Sequence, residues 1–169
     1  LGQHQGDNLA LALASFEAWM NQMKREIDWN QALAALEQVS WQGRLECLSQ
    51  EPLILVDGAH NSQGLQALDY FLTHDLADYQ VALIFAGLKR KDQASHLTYL
   101  HKWAEEGMEV YLSTFDYPGA MSQADWQAQT TLPFLDWQPK LVDYQAGQKP
   151  AKKALILTGS LYFISQVKE

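Results

Sequence analysis

The chain has 169 residues, 47% of them apolar, which is enough for one sizeable core and excludes a disordered tail or a fibre. Twelve basic against twenty acidic residues give a formal net charge of -8, and no run of Lys and Arg could track a phosphate backbone, so no nucleic-acid partner is expected. A single cysteine, Cys47, excludes an internal disulfide and a multi-cysteine zinc site. With no apolar run near the ~20 residues of a membrane span and no signal region, the chain reads as soluble and cytoplasmic.

Leu9, Leu13, Phe16, Met20 and Met23 recur at spacings of three and four, which predicts a first helix with Asp7 or Asn8 as N-cap. Asp28 followed by Gln31 resembles a capping box in front of Ala32, Leu33, Leu36 and Val39, so a second helix is expected to about Ser40. The opening LGQHQGDNLALALASF has no initiator Met and enters a helical pattern directly, which suggests a piece of a longer chain. From Trp41 the pattern changes. WQGRLECLSQ alternates like an edge strand, and LILV after Glu51-Pro52 has the continuous apolar character of a strand buried on both faces. Strands at 53–57, 80–86, 108–113 and 154–158 then alternate with helices near 62–75, 92–106, 122–130, 136–145 and from Ser160. Such alternation means βα units and a mostly parallel sheet covered on both faces. The domains expected are a helical stretch, 1–40, and an α/β body, 41–169.

In such a sheet ligands bind beyond the carboxyl ends of the strands. LILVDGAHNSQG delivers Asp57, turns on Gly58 and Ala59, and presents His60 and Asn61 at the start of a helix. Asp57 there suits ribose hydroxyls or a cation, and the helix start favours an anion; the same residues would serve equally as turn and cap acceptors. Two ligands at this spacing without a third are weak for a metal, and none is assigned to this chain. In ALILTGSLYFIS, Ser160 opens the last helix as an oxygen-binding hydroxyl or as an ordinary N-cap. Tyr162 replaces the second glycine of a nucleophile elbow. Arg44 suits a phosphate or carboxylate clamp, or an ion pair with Glu46. AGLKRKD, with Lys89, Arg90, Lys91 and Asp92, reads as a solvated helix start. The chain contains neither a Walker A segment nor a G-x-G-x-x-G fingerprint.

WQGRLE, DGAHN after a buried strand and LTGSLYF, in this order, resemble the C-terminal domain of folylpolyglutamate synthase, in many bacteria also dihydrofolate synthase, within the Mur-ligase-like amide ligases. GQHQGDNLALAL is similar to the stretch that closes the family's central ATPase domain. The resemblance implies a Rossmann-like domain with a six-stranded, mostly parallel sheet over 41–169, and a tail of the central domain over 1–40. It implies ATP and Mg2+, bound mainly by domains outside this chain, folate or dihydropteroate and L-glutamate as substrates, and a full-length enzyme that is a monomer. The fragment alone is then expected to be inactive and to bind ATP weakly.

By the same resemblance Asn8 matches the Asn that reads adenine, Arg44 the Arg that reaches the ribose and phosphates, and Asp57 the Asp that holds the nucleotide. His60, as a catalytic and substrate-side group, and Ser160 match positions nearer the incoming glutamate. Two departures stand out: Ser62 replaces the Pro that usually follows DGAHN, and FDYPGAM lacks an Arg that many relatives carry after a Pro. Alternatives are another Mur-type amino-acid ligase, a receiver-like regulatory module with Asp57 as phospho-acceptor, and a hydrolase using Ser160 and His60.

Overall fold

The computed structural model describes residues 3–37, 43–90, 92–146 and 152–168. The chain divides into two compact units, Leu1–Trp41 and Gln42–Glu169.

The first unit holds α1 (Gln3–Gln22) and α2 (Trp29–Glu37). Helix α1 starts earlier than its periodicity predicts, so Asn8 lies inside it and does not cap it. Asp28 caps α2, its Oδ1 accepting from Gln31 N–H at 3.1 Å. The middle of the apolar stripe, Leu13, Phe16 and Met20, is half-buried, whereas Leu9, Trp19, Met23, Trp29 and Leu33 are exposed. Val39, Ser40 and Trp41 lie outside the described residues.

The second unit runs β1 (Glu46–Gln50), β2 (Leu53–Asp57), α3 (Ser62–His74), β3 (Gln80–Phe85), α4 (Gln93–Glu105), β4 (Glu109–Leu112), α5 (Gln123–Gln127), α6 (Trp137–Ala146), β5 (Lys153–Thr158) and α7 (Leu161–Val167). These strands form one sheet in the order β1-β2-β5-β3-β4. Strand β1 is antiparallel to β2, and the other pairings are parallel. The side chains divide by the period of two. Leu55, Leu83, Phe85 and Ile156 pack with Leu65, Leu68 and Leu72 of α3, Leu100 and Trp103 of α4, and Trp126 of α5. Ile54, Val56, Ile84, Leu155 and Leu157 meet Trp137 and Leu141 of α6 and Phe163 and Ile164 of α7 on the other face. Asp69 ties α3 to α4, accepting from Lys102 Nζ at 2.6 Å and from the indole N–H of buried Trp103 at 2.8 Å.

The sheet thus has five strands among the described residues, correcting the six implied by resemblance. At the outer edge of β4, Leu112 N–H donates to Pro133 O at 2.8 Å and Leu135 N–H to Leu112 O at 2.9 Å. This contact stays an isolated bridge, Leu112 with Phe134. Pro133 has no N–H to extend a ladder, and the chain turns into α6 three residues after Phe134.

Candidate functional site

Three strand ends lie side by side: Asp57 of β2 is level with Thr158 of β5, and Thr158 with Phe85 of β3. From adjacent strands, α3 leaves towards one face and α7 towards the other. The chain therefore diverges between β2 and β5, the arrangement that opens a ligand crevice in α/β sheets.

Asp57, only 7% exposed, accepts from Ala59 N–H at 2.8 Å through Oδ1 and from Leu45 N–H at 2.9 Å through Oδ2. Burial pushes its carboxyl above the usual range; the two backbone amides, then Arg44 and His60, oppose this. The carboxylate joins the turn after β2 to the turn before β1, which is the turn-acceptor alternative read from the sequence. Each oxygen still has acceptor capacity to spare.

The turn before β1 carries Arg44 between two residues in left-handed conformation, Gly43 at φ 72 and Leu45 at φ 46. For Leu45 this costs of order 1 kcal/mol. A Cβ at Gly43 would come 2.6 Å from Ile164 Cδ1. Gly43 O accepts from Gly58 N–H at 2.7 Å, a second tie between the two turns. The ion pair with Glu46 considered from the sequence does not form, because Glu46 takes Lys168 Nζ at 2.8 Å and Gly43 N–H at 2.8 Å. Arg44 is exposed and makes no salt bridge among the described residues. Trp41 and Gln42 of the WQGRLE motif lie outside them.

His60 donates from Nδ1 to Gly58 O at 2.8 Å, so Nε2 is the unprotonated nitrogen of the neutral ring. Its own carbonyl accepts from Nε2–H of His96, a fully buried residue of α4 whose ring lies 5.2 Å from that of Phe85. Asn61 caps α3, accepting from Gly64 N–H at 2.8 Å. Ser62 occupies the first helical position, where Pro is also tolerated, so its departure from the family pattern leaves the helix start intact.

Ser160 is 2% exposed and caps α7, its Oγ accepting from Tyr162 N–H at 3.2 Å. This is the N-cap alternative, and it does not present the hydroxyl to solvent as a nucleophile. Before it, Gly159 sits at φ 115, where a Cβ would lie 2.6 Å from Ala86 O. Lys89 pairs with Asp125 at 2.7 Å and Asp92 caps α4, which makes the AGLKRKD exit a solvated helix start; Lys91 lies outside the described residues. Asn8 is exposed on α1 of the first unit. Among the described residues no three His, Cys, Asp or Glu side chains gather as metal ligands.

Two features escaped sequence reading. His96 sits on the buried stripe of α4 with Leu100 and Trp103, where its spacing reads as core. Tyr117, in the loop after β4, stacks on Tyr162 with centroids 4.5 Å apart, a pairing of residues 45 positions distant that no local pattern signals.

The sheet order and the diverging helices define an α/β domain with the fold of the C-terminal part of folylpolyglutamate synthases. The similarity holds in sequence as well as in structure. It is 27% identical over its whole length to the dihydrofolate synthase/folylpolyglutamate synthase of Bacillus subtilis (strain 168), of which it spans 39%. Over 99% of its length it superposes on the Mycobacterium tuberculosis folylpolyglutamate synthase complexed with ADP, with a TM-score of 0.78, 26% identity and 40% of that chain covered. A bifunctional folylpolyglutamate synthase/dihydrofolate synthase with Mn, AMPPNP and L-glutamate bound shares the fold, at a TM-score of 0.61 and 21% identity over 77% of this chain and 31% of that one. No protein-family model matches the chain.

Proposed function

We propose that this chain is the C-terminal part of a cytoplasmic, ATP-dependent carboxylate-amine ligase that adds L-glutamate to folate or dihydropteroate, with residues 1–40 as the tail of its central ATPase domain. The observation that carries the reading is Arg44: an exposed guanidinium without a salt bridge among the described residues, on a turn fastened to the end of β2. Its planar fork suits phosphate oxygens. The relatives' ADP, AMPPNP and Mn complexes support a nucleotide and a divalent ion for the family. We assign nucleotide contacts to this chain and the metal ligands to the remainder of the enzyme; among the described residues no three His, Cys, Asp or Glu side chains gather.

In the proposed reaction a folate carboxylate oxygen attacks the γ-phosphorus of ATP and ADP leaves. The amino group of glutamate then attacks the acyl carbon of the resulting acyl phosphate; phosphate departs with the C–O electron pair and the amine loses its proton. Arg44 holds ribose and phosphates, and Asp57 holds the nucleotide through the turn it fastens. The unprotonated Nε2 of His60 is the group suited to receive the proton of the incoming ammonium. Ser160 lines the glutamate side through the helix start it caps. With half of the cleft on other domains, the 169-residue chain binds ADP or ATP weakly and does not turn over. Calorimetric titration with ADP tests this: millimolar binding that Arg44→Ala removes is expected. Formation of folylpolyglutamate by this chain, or binding indifferent to Arg44→Ala, would overturn it.

A further inference from the structure

Two carboxylates grip the amides on either side of Arg44. Asp57, at the end of β2, takes Leu45 N–H. Glu46, in β1, takes Gly43 N–H through Oε2, and Lys168, just past α7, donates to the same carboxylate from 2.8 Å. Lys168 and the Gly43 amide hold the Glu46 carboxyl below the usual carboxylate range, so it stays ionised around neutrality. Under Gly43 lies Ile164 of α7, and Gly58 N–H closes on its carbonyl. Three hydrogen bonds, to Glu46 and Asp57 and from Gly58, therefore converge on a three-residue turn whose central side chain has no salt bridge among the described residues, although the acidic Glu46 is only two positions away. Lys168 engages the Glu46 carboxylate, and of the two carboxylates gripping the turn only Asp57 feels the Arg44 charge.

We propose that Glu46 and Lys168 are positioning residues: their ion pair fixes the Gly43–Leu45 turn and keeps the Arg44 guanidinium free for an anionic ligand. The ligand class, a nucleoside diphosphate or triphosphate, rests on the function proposed above. Holding the turn before the ligand arrives removes part of the ordering cost of binding. The pair reduces competition as well, since a Glu46 carboxylate released from Lys168 would be free to attract Arg44.

The test uses the 169-residue chain, with ADP as probe and amide NMR as readout. In the ligand-free chain, relaxation of the Gly43, Arg44 and Leu45 amides is expected to give order parameters near ~0.85 and to fall towards ~0.6 in Lys168→Met and Glu46→Gln, with β2 unchanged. ADP affinity is expected to drop about threefold to fivefold in both variants, and Lys168→Arg is expected to restore it. In the double variant Arg44→Ala with Lys168→Met, affinity is expected to match Arg44→Ala alone, because Lys168 acts through Arg44. Full additivity would overturn the proposal by showing that Lys168 attracts the anion directly. Unchanged order parameters in Lys168→Met would overturn it as well. If ADP causes no shifts, or Arg44→Ala leaves its affinity intact, the nucleotide reading fails, while the relaxation measurement still decides the positioning.

Discussion

The exits of β2 and β5 are neighbours in the sheet and are built in opposite ways. After β2 the backbone is held by side chains: the Asp57 carboxylate takes two amides, His60 bonds to Gly58, and Asn61 caps α3. After β5 the backbone is held mainly by lack of space, because Gly159 passes against Ala86, and the hydroxyls of Thr158 and Ser160 are both buried. The first exit places half-buried His60 and exposed Asn61 beside the buried Asp57 carboxylate; the second forms a close-packed wall beside it. The two neighbouring exits are held by different means, so different substitutions should damage each.

The largest effect is expected at the wall. Gly159→Ala combines a left-handed φ with backbone contact on Ala86, and a loss of about 3 kcal/mol or more is expected in urea unfolding. A loss below ~1 kcal/mol would show that the wall yields. Next comes Asp57→Ala, which strands the amides of Leu45 and Ala59 and should cost about 2–3 kcal/mol.

Asp57→Asn sharpens the comparison through pH. Because burial raises the Asp57 pKa in the folded state, the folded chain binds the proton more tightly than the unfolded one. The stability linked to that proton is complete below the ordinary value of 3.8 and is lost as pH rises through the higher folded value. The stability difference, wild type minus Asp57→Asn, should therefore decline with rising pH across that window in chemical denaturation; a flat or rising difference contradicts the burial argument. Ser160→Ala removes only the α7 cap, for about 1 kcal/mol by the same unfolding measurement. Arg44→Ala should leave the unfolding midpoint where it is while weakening ADP binding.

Much of this architecture was legible because buried strands and amphipathic helices leave different periods. The run LILV became β2, ALILT nearly all of β5, and the helix expected near 62–75 formed at Ser62–His74. The strand count taken from resemblance was one too high for the described residues: beyond β4 there is only an isolated bridge, Leu112 with Phe134, beside Pro133. At the site, residue types marked Asp57, His60 and Ser160 as turn residues, but their partners were not readable. That Asp57 would reach back to Leu45, twelve positions earlier, depends on the antiparallel return of β1. That Glu46 would choose Lys168 over Arg44 depends on where α7 ends, 122 residues on. Local pattern identifies which groups lie at a strand end; the closing of the sheet decides which of them remain available.

The position of β5 has a consequence for how the domain is made. It pairs with β2 on one side and β3 on the other, yet it is the last strand in sequence, so β2 and β3 have no partner between them until it arrives. A ribosome emitting this chain releases four strands before the one that unites them, and both apolar edges wait through the synthesis of α5 and α6. Such late, long-range closure makes for slow folding. It also places the turn of Gly159 and Ser160 among the final parts of the sheet to form.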